Sequence, residues 1–368
     1  MKKGSKFIRL FTVMIFLFIL TSGVAAADFE DGDGTVENPY QIKTADQLND
    51  VRNNLTAHYV LIEDINLTGT AYENNWAPIG KYNFEFKGTF EGNNHKIENL
   101  KIQTTTNNGG FFGSAIDSYI ANLTLVNVEI NGKVNTSSLV GQINNSIVKN
   151  CHADGDVVGT SNVGGIVGRA KETKIESCSF KGSVTGTGTV GGIVGELYEA
   201  DISGCTVKNA LIKSSGSNTG GVIGRYSALN NKMTECVVEA DVKVESTTAT
   251  AAATCIGGLI GLIEGSNDIL TPLEVQKSKS AAVVSAYGGD QYGGRDVGGL
   301  VGQSQYNISF ESCTFSGKVT AYNEKNLTTF TLKNNASQNV GGFVGNVFSG
   351  SAAIKNSSVI GESIMGSF

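Results

Sequence analysis

Gly164-Gly165-Ile166-Val167-Gly168 returns as Gly191-Gly192-Ile193-Val194-Gly195 and again as Gly220-Gly221-Val222-Ile223-Gly224. Working outward, the same pattern stands at Gly109-Gly110-Phe111-Phe112-Gly113, Gly257-Gly258-Leu259-Ile260-Gly261, Gly298-Gly299-Leu300-Val301-Gly302 and Gly341-Gly342-Phe343-Val344-Gly345, with Ser137-Ser138-Leu139-Val140-Gly141 as a variant. The eight copies are spaced by 28, 27, 27, 29, 37, 41 and 43 residues. About 14 residues after the glycine pair comes an apolar-x-x-Cys segment, as in Ile175-Glu176-Ser177-Cys178, and then an alternating run such as Phe180-Lys181-Gly182-Ser183-Val184. Short β-type runs separated by Gly, Asn, Asp and Ser, at a fixed period, signal a repeat architecture.

One such unit buries only a small apolar strip. Parallel coils stacked about 4.8 Å apart join the strips into one core, and eight of them make a rod on the order of 40 Å long. The expected fold is therefore all-β, a coil of three short strands per turn. A β-sandwich array or propeller fits the period less well. The glycine pairs suit a tight corner, where either positive φ or close backbone approach demands glycine. Thr44-Ala45-Asp46-Gln47 is a capping-box pattern followed by Leu48, Val51 and Leu55 at helical spacing, which predicts one short helix capping the open N-terminal end. Tyr59-Val60-Leu61 and Asp64-Ile65-Asn66-Leu67 then read as the first strands, and Trp76 as core packing rather than a sugar platform. No matching C-terminal cap is visible, which suggests either self-association through an open C-terminal edge or a truncated chain.

The 368 residues include 47 Gly, 3 Pro, 3 His and 6 Cys, and carry 28 cations against 34 acids. Lys2, Lys3, Lys6 and Arg9 precede an apolar run, Phe7 to Leu20, and then Ala25-Ala26-Ala27. This is the layout of a cleaved secretory leader, residues 1–27. Its removal leaves 24 cations against 34 acids, a net charge of −10. That balance argues against nucleic acid or anionic lipid as the main partner, both of which need clustered cations. No later stretch is apolar enough to span a membrane. The expected organisation is a leader at 1–27, an N-terminal cap with first coils at 28–106, and repeats at 107–368, in an extracellular or cell-surface protein. Nine Asn-x-Ser/Thr sequons occur, at Asn54, Asn66, Asn122, Asn135, Asn144, Asn307, Asn326, Asn335 and Asn356, a number that composition alone explains.

The Gly-Gly-apolar-apolar-Gly copies resemble GLUG-motif repeats of bacterial and archaeal cell-surface proteins, which also occur as an accessory region in IgA-peptidase-type surface enzymes. Gly34-Thr35-Val36-Glu37-Asn38-Pro39-Tyr40-Gln41-Ile42, Trp76-Ala77-Pro78-Ile79-Gly80 and the segment from Phe86 to Ile97 resemble the start that precedes such repeats. The resemblance implies a right-handed parallel β-helix and an adhesin-like role, and implies no reaction.

Cys151, Cys178, Cys205, Cys236 and Cys313 occupy one repeat position, which Leu123, Ser278 and Ser357 take in other copies. An inward-facing column accepts such residues, since buried Cys behaves as a small hydrophobe. In-register parallel strands hold Cβ atoms slightly beyond the distance a disulfide favours, so a free-thiol ladder is preferred over bonded pairs. There is no Cys-x-x-Cys, and Asp28, Glu30, Asp31 and Asp33 lack a calcium-loop spacing, so they read as a solvated linker rather than a metal site. No cofactor is expected. Acids fall at mixed phases of the repeat, and no nucleophile, zinc or phosphate motif occurs, so the chain reads as a binding or structural module and not an enzyme; a polysaccharide lyase or hydrolase is the alternative.

Relative to a 27-residue turn, the last three intervals carry 10, 14 and 16 extra residues, and 30 of those 40 fall at one phase. Insertions that share a phase emerge on one side of a solenoid. They comprise 240–254, 285–296 and 318–338, and the middle one reads Ala286-Tyr287-Gly288-Gly289-Asp290-Gln291-Tyr292-Gly293-Gly294-Arg295. Tyr with Gly and Arg contacts glycan or protein at low entropic cost. Tyr287, Tyr292, Arg295 and Tyr322 are therefore the candidate ligand contacts. Removing residues 285–296 is expected to leave the fold intact and to lower attachment.

Overall fold

The structure, a computed structural model, describes residues 29–227, 231–248, 253–265, 272–288, 294–323, 338–348, 350–360 and 364–366. The leader at 1–27 and Tyr292 lie outside them. The fold is a right-handed parallel β-helix. One turn runs through the strands Val167–Lys171, Lys174–Glu176, Ser179–Gly186 and Val190–Gly191, and the next begins at Val194. These strands stack turn on turn into sheets of eight, eleven, fifteen and six strands, here the first to fourth faces. Three strands per turn was one too few. The fourth ends at the first glycine of the pair and in the regular turns is only two residues long, too short to show as an alternating run.

Like positions sit above one another. Phe112, Val140, Val167, Val194, Ile223, Ile260, Val301 and Val344 form one column through the first face. Phe90, Ile120, Val148, Ile175, Ile202, Met233, Val275 and Phe310 do the same in the second face, all buried. Each such side chain contributes roughly 1.5–3 kcal/mol of burial, and only the stack makes that burial complete.

The glycine pair owes its place to close approach. A Cβ on Gly191 would lie 2.0 Å from the Val194 carbonyl oxygen, and one on Gly192 would lie 2.1 Å from the Gly221 carbonyl oxygen in the next turn. Neither residue has positive φ. Left-handed backbone is instead supplied at other corners, mostly by Asn, which tolerates it best among non-glycine residues. These asparagines form amide ladders: Asn162 Nδ2 donates to Asn135 Oδ1 (3.0 Å), Asn135 Nδ2 to Asn108 Oδ1 (2.8 Å), and Asn150 Nδ2 to Asn122 Oδ1 (2.8 Å). The Asn122 and Asn135 sequon amides are thus already engaged in the folded chain.

The N-terminal end is closed by the helix Ala45–Asp50. Thr44 Oγ1 accepts from the Gln47 N–H (3.2 Å) and Gln47 Oε1 accepts from the Thr44 N–H (3.3 Å), the reciprocal cap read from the sequence. Leu48 and Val51 enter the core, and Leu55 packs against it. The first strand is not Tyr59–Leu61 but Tyr40–Ile42, which precedes the helix and pairs with Tyr59–Leu61 in parallel. An aromatic series, Phe29, Tyr40, Tyr59, Phe86 and Phe112, runs through this end with ring centroids 4.4 to 6.3 Å apart. Trp76 is fully buried and stacks on Phe111, so it is core. Among the linker acids, Asp33 Oδ1 accepts from the Thr35 hydroxyl (2.7 Å), which lowers its pKa, and Glu30 pairs with Lys43.

The cysteine column is present as one inward stack. Ser179 N–H donates to Cys151 O and Thr206 N–H to Cys178 O, which locks neighbouring turns together beside it. The thiols are free and buried, and the Cys151, Cys178 and Cys205 Sγ atoms lie 3.3 to 3.5 Å from the carbonyl oxygen two residues before. Cys236 N–H donates to Ser278 Oγ (3.2 Å), so the serine fills the same column. The sixth, Cys255, stands apart from this column at a left-handed corner position. Burial raises the Cys151 and Cys205 thiols and pushes Cys255 up to about 12. Since alkylation needs a sulfur that the reagent can reach and all six are buried, iodoacetamide at pH 8 is expected to leave all six thiols unmodified in the native chain and to label all six in denaturant. Mass spectrometry showing native labelling within minutes would contradict the column.

Candidate functional site

The lengthened turns were expected to bulge outward. The segments read as added begin inside the third face, where Lys243 to Ser246 stand in register with Leu211 to Ser214 of the regular turn. Lys243–Thr247, Val283–Gly288 and Lys318–Asn323 pair with one another in parallel, and Val244, Val284 and Val319 are buried. Most of the added length leaves at one corner, between the third and fourth faces. Ser214 and Thr219 flank that corner in a regular turn, whereas Ser246 and Ile256, Ala286 and Val297, and Ala321 and Val340 flank it in the next three. The alternation of Val244 with Ser246, Val284 with Ala286 and Val319 with Ala321, all buried, is the signal of these strands.

Three of the four candidate residues can be placed. Thr247, Tyr287 and Tyr322 occupy the same register position in successive turns, at the end of the third face beside that corner. Tyr287 is half-buried. Arg295 is exposed on the fourth face, in register with Thr254 and Gln338, with its Nε 3.7 Å from Asp296 Oδ2. Asp296 is itself buried and accepts from Gln303 Nε2 (2.8 Å) and Asn339 Nδ2 (2.7 Å). The structure therefore brings Tyr287 and Tyr322 together and puts Arg295 in the neighbouring column.

Two polar features escaped the sequence reading. On the first face, Gln142, Arg169, Glu196, Arg225 and Leu262 share a column. Glu196 is buried between two guanidinium groups, 3.3 Å from Arg169 Nε and 2.6 Å from Arg225 Nη2, and Arg225 Nη1 reaches Glu264 at 3.4 Å. The second feature is a hairpin at Lys81–Phe84 that stands off the first face, with Tyr82 and Phe84 exposed. It occupies the gap between two segments recognised by resemblance, Trp76–Gly80 and Phe86–Ile97. Its signal is Lys81-Tyr82-Asn83-Phe84, a two-residue turn with Asn where positive φ is needed. Among the described residues no group of three or more His, Cys, Asp and Glu side chains could hold a metal, and no helix is long and apolar enough to cross a membrane.

Repeated glycine corners, one per turn and in register, set the frame for comparison with other proteins. Residues 159–185 and 293–320 match the family model of the GLUG motif. The chain carries GLUG repeats. It is 39% identical over 118 residues to a protein of Evansella cellulosilytica provisionally named a Gly-rich membrane protein, a stretch covering 29% of this chain and 13% of that one. It is 30% identical over 112 residues to an immunoglobulin A1 protease of Streptococcus sanguinis, covering 30% of this chain and 6% of the protease. This GLUG-repeat chain thus spans a small part of the length of the curated relatives it matches. A crystal structure from Bacteroides ovatus, provisionally named an immunoglobulin A1 protease, aligns with 87% of each chain at a TM-score of 0.56 and 20% identity. That likeness shows a shared β-helical fold.

Proposed function

We propose that this GLUG-repeat chain is an exported, rod-forming module of a surface protein, adhesin-like in role, which meets a glycan or protein partner at the corner where its extra residues emerge. The observation that carries the reading is the shared corner: three successive turns are lengthened there, with tyrosines of two neighbouring turns beside it. Stacked faces flank that corner on both sides, and loops carried on such a scaffold commonly serve recognition. The surface location is supported by the leader pattern of residues 1–27 and by the membrane-protein name of one relative. The protease name belongs to the similar proteins that bear it, of which this chain matches a minor share in the curated case, so a reaction is not part of the proposal.

Residues 285–296 are not a removable excursion. Deleting them takes out Ser285 to Gly288 of a central strand and the buried Ala286, and is expected to unfold the later turns. The test is instead the pair Tyr287→Ser and Arg295→Ser, which spares Ala286 and Asp296. Attachment to immobilised cells and to a glycan array is expected to fall at least about ten-fold, the scale of losing one aromatic anchor. Far-UV circular dichroism should stay that of the parent. Attachment at the parental level in a folded double variant would sink the proposal.

A further inference from the structure

A cleft opens in the N-terminal third, away from the lengthened corner. The Lys81–Phe84 hairpin rises between two anchored segments. Ile79 bridges to Phe112 and Phe86 to Ala115 on the strand Phe112–Ile116, and Lys81 and Phe84 exchange both backbone hydrogen bonds, at 2.9 and 2.8 Å. Phe86 is fully buried beneath it. The projecting tip is therefore built on rigid elements, as a pre-organised contact requires. At the tip Tyr82 is 70% exposed, and among the described residues no hydrogen bond or ring contact holds its side chain.

Between this hairpin and the Thr106–Asn108 corner opens a cleft of about 520 Å³, lined further by Pro78, Gly80, Asn135 and Gln142. Its floor is the end of the amide ladder. Asn135 Nδ2 donates to Gln142 Oε1 (3.3 Å) and to Asn108 Oδ1 (2.8 Å), and Asn108 Nδ2 donates to Ser114 Oγ (2.9 Å). Those bonds fix the amide planes. The Gln142 Nε2 group donates to no protein acceptor among the described residues, and Asn107 is exposed at the rim. The lining holds no carboxylate, imidazole or thiol, which removes the donors a metal needs. Its one cation, Lys81, has its ammonium 5.2 Å from the Phe84 ring centroid, and a single cation does not make a nucleic-acid or polyphosphate site.

An exposed phenol ring facing fixed, neutral amides suits a ligand with one apolar face and a rim of hydroxyls. We propose that this cleft binds a neutral sugar, one pyranose ring stacked on Tyr82 and its hydroxyls hydrogen-bonded to Asn107 and Gln142. The volume is that of a small-molecule site and accommodates one or two rings. Aromatic side chains provide such contact area at low entropic cost, since only two torsions are fixed.

The test is saturation-transfer difference NMR on the purified full chain with cellobiose, maltose and N,N′-diacetylchitobiose as probes. At least one disaccharide is expected to show transfer concentrated on ring C–H protons. Tyr82→Ala should lower the affinity for it about ten-fold. Gln142→Ala should lower it about five-fold, the scale of one hydrogen bond. The double variant Tyr287→Ser with Arg295→Ser should leave it unchanged, which separates this site from the lengthened corner. An unchanged thermal midpoint in Tyr82→Ala confirms that its fold is kept, as its exposure predicts. Undiminished transfer in Tyr82→Ala, transfer lost with the Tyr287 and Arg295 variant, or no transfer from any of the three sugars overturns the proposal.

Discussion

Replacing Gly221 with valine is expected to cost about 4 kcal/mol or more, enough to leave the middle turns unfolded. A Cβ at this position would sit 2.2 Å from the Gly258 carbonyl oxygen and 2.9 Å from Val238 Cγ2. Both are held by the stack, and the first is backbone. Relieving the clash means lifting one turn off the next, which breaks the Gly221 N–H to Gly257 O bond and those around it. The variant copy at Ser137-Ser138 supplies the control. There Ser137 Oγ donates to Val140 O at 2.7 Å, whereas Ser138 Oγ is buried without a partner. Ser138→Gly is therefore expected to be neutral or mildly stabilising, within about 1 kcal/mol. Urea unfolding followed by far-UV circular dichroism measures both. A Gly221→Val protein within 1 kcal/mol of the parent would refute close approach as the reason for the pair.

Glu196→Gln is expected to destabilise by about 2 kcal/mol, less than for a fully buried pair because both arginines are part-exposed. The Glu196 side chain is 8% exposed and bridges Arg169 and Arg225, which stand in register one turn to either side. Without its charge the two guanidinium groups face each other across a neutral amide. Leu262 occupies the same column one turn later, so the column accepts an apolar residue. Adding Arg225→Leu to Glu196→Gln should therefore recover about half of the loss. If Glu196→Gln matches the parent in urea, or the second substitution deepens the loss, the ladder is a surface ornament without a structural part.

Much of the fold could be read directly. The Gly-Gly period, the apolar-x-x-Cys segment and the alternating strand each repeat once per turn, and each became one register position of the stack. The Thr44 cap was legible because a capping box depends on residues three apart. The site was much less legible. Tyr287 and Tyr322 are 35 positions apart in the chain and neighbours in the stack, which the period suggests. Yet the period could not show where the third-face strand stops and the added length starts, because it counts residues and does not tell which of them pair. The hairpin at Tyr82 was passed over for a different reason: it breaks the repeat, and a reading guided by repetition skips what occurs once.

The sequence by itself determined that parallel turns stack, where the helix caps them and which positions face inward, because those depend on local periodicity and on residue size. Only the tertiary structure decided why the glycines are paired, where the added residues leave the stack, and that Tyr82, Asn107 and Gln142 border one cleft. Those are matters of distance between turns, fixed when separate stretches of backbone come within contact of one another.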